Sequence, residues 1–264
     1  MATTADGEAT SSKYRVEALA KGLGLLTLFS EARQSLKLKE ICELSGLPMP
    51  TAFRLLATLQ EAGYVERLVD DSYRPGLQVL TLGHAALRSL DLLQCAEEPI
   101  RALAESTAET VNLAVLSGDR VLYVARRRNT DLVTANISVG STLPAVLSSL
   151  GKVLLADLDD DAVTSLLGPT NFALAGGPNA ITSSKQLLVQ LREVRRAGFA
   201  TQDEELARGL RSVAAPVRGS SSRTVAAVNI AVNAADYTLE ELLRRHKDSV
   251  LATADEISLR LGRP

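Results

Sequence analysis

The 264-residue chain is 46% hydrophobic and 23% charged, a composition that supports one large or two modest globular domains. Tryptophan is absent and aromatic residues make up only 3% of the chain, so the cores must be built from Leu, Val and Ala. The formal net charge of −2 gives no support to nucleic-acid binding by composition alone, because such proteins often carry a basic excess.

The sequence predicts a cytoplasmic protein. Its two cysteines, Cys42 and Cys95, lie in separate predicted domains, which argues against a disulfide framework. No apolar run approaches the roughly 18 residues that a membrane-spanning helix needs. Residues 1–12 are small, polar or acidic and lack the cationic start and apolar stretch of a signal peptide, so we expect a disordered arm there.

The first predicted helix runs from Val16 to Glu31, because its apolar residues repeat with the helical period. Such a stripe is most simply a buried face that packs across the rest of its domain. Six residues are predicted to form this core face: Val16, Leu19, Ala20, Leu23, Leu26 and Phe29.

Two helices joined by a short turn follow. The segment 36–44 is amphipathic and stops at Gly46, and a second helix, 50–62, carries proline in its first turn and stops at Gly63. This arrangement is that of a helix-turn-helix, and two short predicted strands at 64–68 and 73–75 complete a winged variant. The apolar residues predicted to form the buried side of the second helix are Phe53, Leu55, Leu56 and Leu59.

The remaining pattern predicts a two-domain α+β protein. The predicted organisation is a disordered arm at 1–12, a winged helix-turn-helix domain at 13–76, a linker helix at 77–93 and a second domain at 94–264. Helices of the second domain are predicted at 96–107, 147–158, 160–167, 184–197 and 239–261, and strands at 110–116, 120–126, 131–139, 209–217 and 224–232.

Several polar or small residues of the first domain are candidates to contact DNA. Arg54 could pair bidentately with guanine, Thr51 could hold a phosphate, and Ala52 could meet a thymine methyl group. The alternative for Arg54 is a surface salt bridge with Glu61 or Asp70. The full set of candidates is Lys37, Pro50, Thr51, Ala52, Arg54, Thr58, Arg67 and Arg74.

Ser148 and Ser149 begin an apolar helix of the second domain. The free N–H groups at a helix N-terminus suit an anion such as a carboxylate. Ordinary capping by the serine hydroxyls explains the same residues, so the spacing leaves both interpretations open.

Enzymatic and metal chemistry find little support in the sequence. Neither His84 nor His246 has ligands at coordinating spacing, so both are predicted to be histidines on helix surfaces. The acidic run 203–205 suits either a metal or general-base cluster or a solvated turn in which at most one carboxylate faces a pocket. A nucleophile elbow, a phosphate loop and a dinucleotide fingerprint are all missing from the sequence, so we predict no catalytic residues, metal site or cofactor.

The order of these motifs resembles that of IclR-type bacterial transcription regulators. The first-domain motifs are the helix segment 51–56 (TAFRLL) and the wing segment 62–65 (AGYV). The second-domain motifs are 140–145 (GSTLPA), 148–152 (SSLGK) and the long segment 202–217. Details at 79–84 (VLTLGH) and 205–212 (ELARGLRS) look most similar to the branch that controls aromatic-acid catabolism.

The resemblance implies that the second domain is a GAF-like α/β effector-binding domain. In such a domain the helix turn, the acidic loop and two inner strands enclose a small organic acid. The corresponding residues here are Ser148, Ser149, Leu150, Gln202, Asp203, Ser212, Asn229 and Ala231, with Leu132 and Leu143 as apolar wall. Many relatives have serine where this chain has Ala231, so one polar contact is missing.

We therefore expect a DNA-binding transcription regulator whose operator affinity is modulated by a small organic acid, an intermediate of aromatic catabolism. Its expected partners are double-stranded operator DNA, the aromatic acid effector and a second copy of itself, as a homodimer or a dimer of dimers, with no membrane partner. The alternative is a small-molecule enzyme that carries the winged helix as an interaction module.

Overall fold

The computed structural model describes residues 14–30, 33–88, 91–127 and 137–263, without the side chains of residues 84 and 86–88. The chain divides into two compact units, Met1–Ser89 and Leu90–Pro264. Each unit has its own hydrophobic core.

The first unit is a winged helix-turn-helix, as predicted. Its elements are α1 (Glu17–Leu26), β1 (Leu36–Lys37), α2 (Leu38–Ser45), α3 (Met49–Glu61), β2 (Val65–Arg67), β3 (Ser72–Pro75) and α4 (Leu77–Arg88). The three strands form an antiparallel sheet in the order β1-β3-β2. Gly46 ends α2 with a φ of 67°, a left-handed conformation that suits glycine, and Pro48 is the extended N-cap of α3.

The wing turn between β2 and β3 is held by backbone hydrogen bonds within residues 68–72 and by the Asp70 carboxylate. Asp70 Oδ1 accepts hydrogen bonds from the Ser72 backbone N–H at 3.2 Å and from the Ser72 hydroxyl at 2.7 Å. These bonds lower the pKa of the Asp70 carboxyl, because they favour its ionised form. The turn is therefore fixed in part by local hydrogen bonds, and Ser72 also pairs with Lys37 of β1.

The core of the first unit differs from the prediction at α1. Three residues predicted to be buried are more than half exposed: Val16 (62%), Leu19 (59%) and Leu23 (53%). The helix instead buries Leu25 and Gly22, and it ends at Leu26. Leu26 and Phe29 of the predicted face do pack against the core, so only the first part of the apolar stripe faces outward. Phe53 of α3, also predicted to be buried, is 47% exposed.

The second unit is a six-stranded antiparallel sheet flanked by helices. Its helices are α5 (Asp91–Thr107), α6 (Ser149–Ala156), α7 (Asp160–Leu166), α8 (Ser184–Ala197) and α9 (Leu239–Arg260). Its strands are β4 (Thr110–Ser117), β5 (Arg120–Arg127), β6 (Thr142–Pro144), β7 (Ala200–Asp203), β8 (Leu210–Arg218) and β9 (Thr224–Asn233), in the sheet order β6-β5-β4-β9-β8-β7.

The helices of this unit form two layers, one on each face of the sheet. Helices α5 and α9 contact each other and the sheet, and α6 and α8 form a second packed pair in which α6 contacts the central strands. Alternate residues of a strand point to opposite faces. In β9, Ala227 shares a core with Leu150 and Val153 of α6, so Asn229 and Ala231 lie on that same face.

Several elements differ from the sequence prediction. The short edge strands β6 and β7 were not predicted, because three or four residues carry too little alternation to be recognised. Helix α5 begins at Asp91, earlier than the predicted residue 96, and contains Pro99. The strand predicted at 131–139 lies largely outside the described residues. Cys42 and Cys95 are free thiols, and none of the described helices is long and apolar enough to cross a membrane.

Candidate DNA-binding surface and effector cavity

Helix α3 presents the most exposed candidates for DNA contact. Pro50, Arg54 and Thr58 are exposed, and the Thr58 hydroxyl donates to the Arg54 carbonyl oxygen at 3.1 Å. Arg54 is exposed and forms no salt bridge with Glu61 or Asp70, which are both among the described residues.

Two other candidates on α3 are less accessible. Ala52 is fully buried in the first unit, so the predicted contact between its methyl group and a thymine is wrong. The reason is geometric, since Ala52 and Leu56 lie four residues apart on the core face of the helix. Thr51 is half-buried, and Met49 and Phe53 are the large apolar side chains exposed on this helix.

The cations of the wing are paired with carboxylates at the surface. Arg67 lies 2.8 Å from Asp71 Oδ1, and Arg74 donates to Glu66 Oε2 from Nε at 3.0 Å and from Nη2 at 2.8 Å. Lys37, at the start of α2, is also exposed. Exposed pairs of this kind contribute only about 0–1 kcal/mol, so phosphate groups can replace the carboxylates.

The second unit contains a small cavity between the sheet and the start of α6. It encloses about 20 Å³, room for about one water molecule. The polar residues that line it are Asn112, Arg126, Ser148, Gln202, Ser212 and Asn229, and the others are Tyr123, Ile137, Leu206, Leu210 and Ala231. Five of these were predicted from the sequence: Ser148, Gln202, Ser212, Asn229 and Ala231.

A chain of hydrogen bonds runs beneath the cavity from strand to strand. Asn112 Nδ2 donates to Asn229 Oδ1 at 2.8 Å, and Asn229 Nδ2 donates to Ser149 Oγ at 3.4 Å. Ser149 Oγ lies 2.7 Å from Ser212 Oγ. Ser149 is fully buried and does not line the cavity, so its role is to support the residues that do.

The start of α6 is both capped and tightly packed. Ser148 Oγ accepts a hydrogen bond from the Gly151 N–H at 2.9 Å, which is the capping that the sequence left open. A Cβ atom at Gly151 would lie 2.1 Å from the carbonyl oxygen of Ala145, so only glycine fits at this close approach. Ser148 nevertheless borders the cavity, so the N-terminus of α6, which carries the positive end of the helix dipole, lies next to it.

The Gln202 amide anchors the segment that follows β7. In the orientation that satisfies both ends of the amide, its oxygen accepts from the N–H groups of Glu205 (3.0 Å) and Leu206 (3.1 Å). Its nitrogen donates to the Leu210 carbonyl oxygen at 3.2 Å. Gln202 is 1% exposed, so these three bonds set the position of the apolar residues Leu206 and Leu210 at the cavity.

The electrostatic character of the cavity comes from Arg126. Among the described lining residues it is the only charged side chain, so these residues supply a cation and no carboxylate. Burial raises the pKa of the neighbouring Tyr123 hydroxyl to about 12, which keeps this phenol neutral, and the charge of Arg126 opposes the rise. Arg126 is therefore the charged group of the cavity that favours an anion.

Besides Ser149, three described residues that were predicted for the pocket do not line the cavity. Asp203 lies beside it on β7 and pairs with Arg211 Nε at 2.6 Å. Leu143 is on β6, where it pairs with Val121, and Leu150 packs into the core behind the cavity. Leu132 lies outside the described residues.

Six lining residues were missed by the sequence prediction: Asn112, Tyr123, Arg126, Ile137, Leu206 and Leu210. Asn112 and Arg126 lie on strands that the sequence did predict. The strand register that places them directly opposite each other cannot be read from either strand alone.

The acidic run 203–205 is a set of three separate contacts. Asp203 pairs with Arg211, and Glu204 Oε1 accepts from the Gly209 N–H at 2.6 Å. Glu205 is buried and receives hydrogen bonds from Lys152 Nζ at 2.6 and 2.8 Å. Burial raises the pKa of Glu205 and lowers that of Lys152, while their mutual attraction opposes both shifts. We assign them as an ion pair that fastens the 203–209 segment to α6.

His246 differs from the prediction. It is 7% exposed and packs beside the ring of Tyr237 at 5.5 Å between centroids, so it is not a surface histidine. Neither of its ring nitrogens has a hydrogen-bond partner among the described residues. No group of three potential metal ligands occurs in the part of the chain that the structure describes.

Comparison with known proteins gives the same two-part division. The IclR helix-turn-helix domain matches residues 18–68, and the IclR C-terminal domain of bacterial transcriptional regulators matches residues 84–259. The Pca regulon regulatory protein of Pseudomonas putida is 32% identical over 242 residues, which cover 90% of this chain and 82% of that protein.

Solved structures share the whole architecture. An IclR family transcriptional regulator from Brucella abortus is 26% identical with a TM-score of 0.81, covering 98% of this chain and 96% of that one. An IclR homologue from Microbacterium hydrocarbonoxydans, complexed with 4-hydroxybenzoate, is 24% identical with a TM-score of 0.73 over 93% and 99% of the two chains, which shows a shared fold. The chain belongs to the IclR family of transcriptional regulators and is a regulator with an effector-binding C-terminal domain rather than an enzyme.

Proposed function

We propose that this regulator binds operator DNA through α3 and the wing, and that a small organic anion, an aromatic carboxylate, binds in the C-terminal cavity and changes operator affinity. The observation that carries the effector assignment is the presence of Arg126 as the only charged side chain among the described residues lining the cavity. A regulator of bacterial DNA acts in the cytoplasm, where we place this protein.

The preference for an anion follows from the charge of the cavity. A carboxylate that enters a buried site must recover the hydrogen bonds it loses on leaving water. Arg126 offers a guanidinium fork that matches a carboxylate, and the start of α6 at Ser148 adds the positive end of a helix dipole. A cationic ligand would find no opposite charge among the described lining residues.

The apolar part of the lining favours a ring. Ile137, Leu206 and Leu210 offer hydrocarbon surface, and Ala231 takes little space. Sites for small molecules usually span about 300–1,000 Å³, far more than the 20 Å³ found here. Binding therefore requires the lining to move apart, which provides the two conformations that a ligand-responsive regulator needs.

A second copy of the chain is the partner we propose for the first unit. Helix α1 exposes Leu19 and Leu23 together with its N-cap Val16, and helix α4 exposes Leu77 and Leu80, each by more than half. Exposed apolar residues at helical spacing are typical of an interaction surface. A dimer would also present two recognition helices to the two halves of a palindromic operator.

The test combines one variant with a neighbouring control. Arg126→Gln removes the charge of the cavity, and Arg127→Gln removes a charge from the next residue, which is half-exposed and lies 3.8 Å from Glu97. Hydrogen bonds to charged groups contribute about 1.5–3 kcal/mol, so Arg126→Gln should weaken binding of 4-hydroxybenzoate roughly tenfold to a hundredfold. Arg127→Gln should leave binding unchanged.

Calorimetry measures the binding of 4-hydroxybenzoate. Fluorescence anisotropy measures the binding of operator DNA, which is first selected by the protein from a random library. Sedimentation of the same samples reports the dimer. Arg126 is a better probe than Ser149, because a larger side chain at the fully buried Ser149 would overpack the core. Equal ligand affinity in wild type and Arg126→Gln would contradict the proposed site, and a monomer on DNA would contradict the dimer.

A further inference from the structure

The Asn112 side chain brings a buried oxygen to the cavity that has no hydrogen-bond partner among the described residues. Asn112 is 2% exposed and lines the cavity from β4, and its Oδ1 atom has no hydrogen-bond partner among the described residues. Buried polar side-chain atoms are nearly always paired, so an unpaired acceptor at a binding cavity points to a ligand.

The structure orients the Asn112 amide through a chain of hydrogen bonds. Its Nδ2 atom is occupied by Asn229 Oδ1 at 2.8 Å, and the Asn229 amide is held in turn by Ser149 at 3.4 Å. Reversing Asn112 alone would bring its oxygen against the oxygen of Asn229. The atom left for a ligand is therefore an acceptor, and its partner must be a hydrogen-bond donor.

The strand register places this acceptor beside the positive charge. Asn112 of β4 and Arg126 of β5 are direct cross-strand partners, and both line the cavity. The Cβ atoms of such partners are about 4.5–5.5 Å apart. A small molecule whose carboxylate binds Arg126 therefore has the rest of its atoms within reach of Asn112.

We propose that Asn112 is a specificity-determining residue that selects acids carrying a hydroxyl group, with the ligand O–H donating to Asn112 Oδ1. The proposal rests on the proposed effector site and adds the second polar group of the ligand. An acid without a donor leaves the buried acceptor unpaired, and a site built to pair with a hydroxyl strongly rejects the analogue that lacks it.

The test compares ligands that differ only in the donor. On the wild-type protein, calorimetry with 3- and 4-hydroxybenzoate, benzoate and 4-methoxybenzoate separates the effect of the O–H from that of the ring and the oxygen. We expect a hydroxybenzoate to bind roughly tenfold or more tightly than benzoate or 4-methoxybenzoate. Lactate and propionate form a second matched pair that tests the same donor on an aliphatic acid.

The variant test asks whether Asn112 is the source of this preference. Asn112→Leu, close in size but without an acceptor, should bind the members of each pair within about twofold of one another. Asn233→Leu makes the same change at a residue of β9 outside the cavity lining, and it should keep the wild-type preference. The wild-type comparison needs no variant, so it is decisive even if Asn112→Leu fails to fold.

The outcomes separate the two proposals. Acids that bind without regard to the hydroxyl, or a preference that persists in Asn112→Leu, would overturn the role of Asn112 and leave the effector site intact. Tighter binding of 4-methoxybenzoate than of 4-hydroxybenzoate would also overturn it. If none of the acids binds and operator affinity does not change, the proposed effector site and the role of Asn112 both fail.

Discussion

The two units use ion pairs of the same chemistry in opposite ways. In the wing of the first unit, Arg67 and Asp71 pair at 2.8 Å with side chains that are 43% and 75% exposed. In the second unit, Lys152 and Glu205 pair at 2.6 Å with side chains that are only 3% and 7% exposed. Water screens the first pair, so it can be exchanged for a phosphate at little cost, whereas loss of either member of the second pair leaves a charge stranded in the protein interior.

Disruption of the buried pair gives the largest expected effect and tests this contrast directly. Lys152→Met leaves the Glu205 carboxylate buried without its partner, so we expect a loss of about 3–5 kcal/mol in the free energy of unfolding. Urea denaturation of the full chain, followed by circular dichroism, measures the loss. The control is Lys39→Met, which breaks an exposed 3.9 Å pair with Glu43 and should change stability by less than about 0.5 kcal/mol.

A double variant distinguishes two possible causes of the lost stability, the unpaired buried charge and the loss of side-chain packing. In Lys152→Met with Glu205→Leu, two apolar side chains replace both ions, so most of the stability should return. A double variant as unstable as Lys152→Met alone would show that packing, rather than the uncompensated carboxylate, determines the cost.

The next largest expected effect concerns Arg54, an exposed cation of the first unit. If Arg54 of α3 reads a base edge, Arg54→Ala should weaken operator binding by about 1–3 kcal/mol and weaken binding to random DNA much less. Fluorescence anisotropy on both DNAs at fixed salt measures this difference. Arg74→Ala, which removes a wing cation paired with Glu66, should instead weaken both DNAs alike. Equal affinity of Arg54→Ala and wild type for the operator would refute the role of α3.

The smallest expected effect concerns His246, a buried titratable side chain whose ring nitrogens have no partner among the described residues. Burial lowers the pKa of His246, and the nearby positive charge of Arg245 lowers it further. The unfolded chain then binds the proton more readily than the folded chain, so stability falls as pH drops below the unfolded value of about 6.5.

His246→Leu should remove this contribution, which is at most about 1.4 kcal/mol per pH unit. Urea denaturation of wild type and variant from neutral to mildly acidic pH measures it as a difference between the two curves. Parallel curves would contradict this, because they would show that His246 binds its proton equally well in the folded and the unfolded chain.

The first unit was largely predictable because its signals are local. The turn at Gly46, the proline at the start of α3 and the polar wing each act within a few residues, and the structure contains all three. The errors concerned which side of a helix faces the core. Ala52 was predicted to point outwards and Val16 to point inwards, because a short apolar stripe shows that a helix has two sides without showing which one meets the core.

The cavity was predictable only where a residue belongs to a recognisable motif. Ser148 and Gln202 were found in this way, whereas Asn112 and Arg126 look like ordinary residues of alternating strands. Their meeting depends on the register between β4 and β5 and on the irregularity between Leu113 and Ala114, which shifts the partners by one residue. Such information belongs to the pairing of strands and is not carried by either segment alone.

The fit of Gly151 against Ala145 sets a limit on how this regulator can adapt to a new effector. Because any side chain at Gly151 would collide with backbone, the start of α6 cannot be reshaped without moving the 3₁₀ turn Ala145–Leu147 beneath it. The strands that line the cavity opposite α6 carry no such limit, because their side chains can be replaced while the backbone hydrogen bonds of the sheet remain. A biosensor for a different acid should therefore be sought in libraries at Asn112, Arg126 and Ala231, with the helix turn left unchanged.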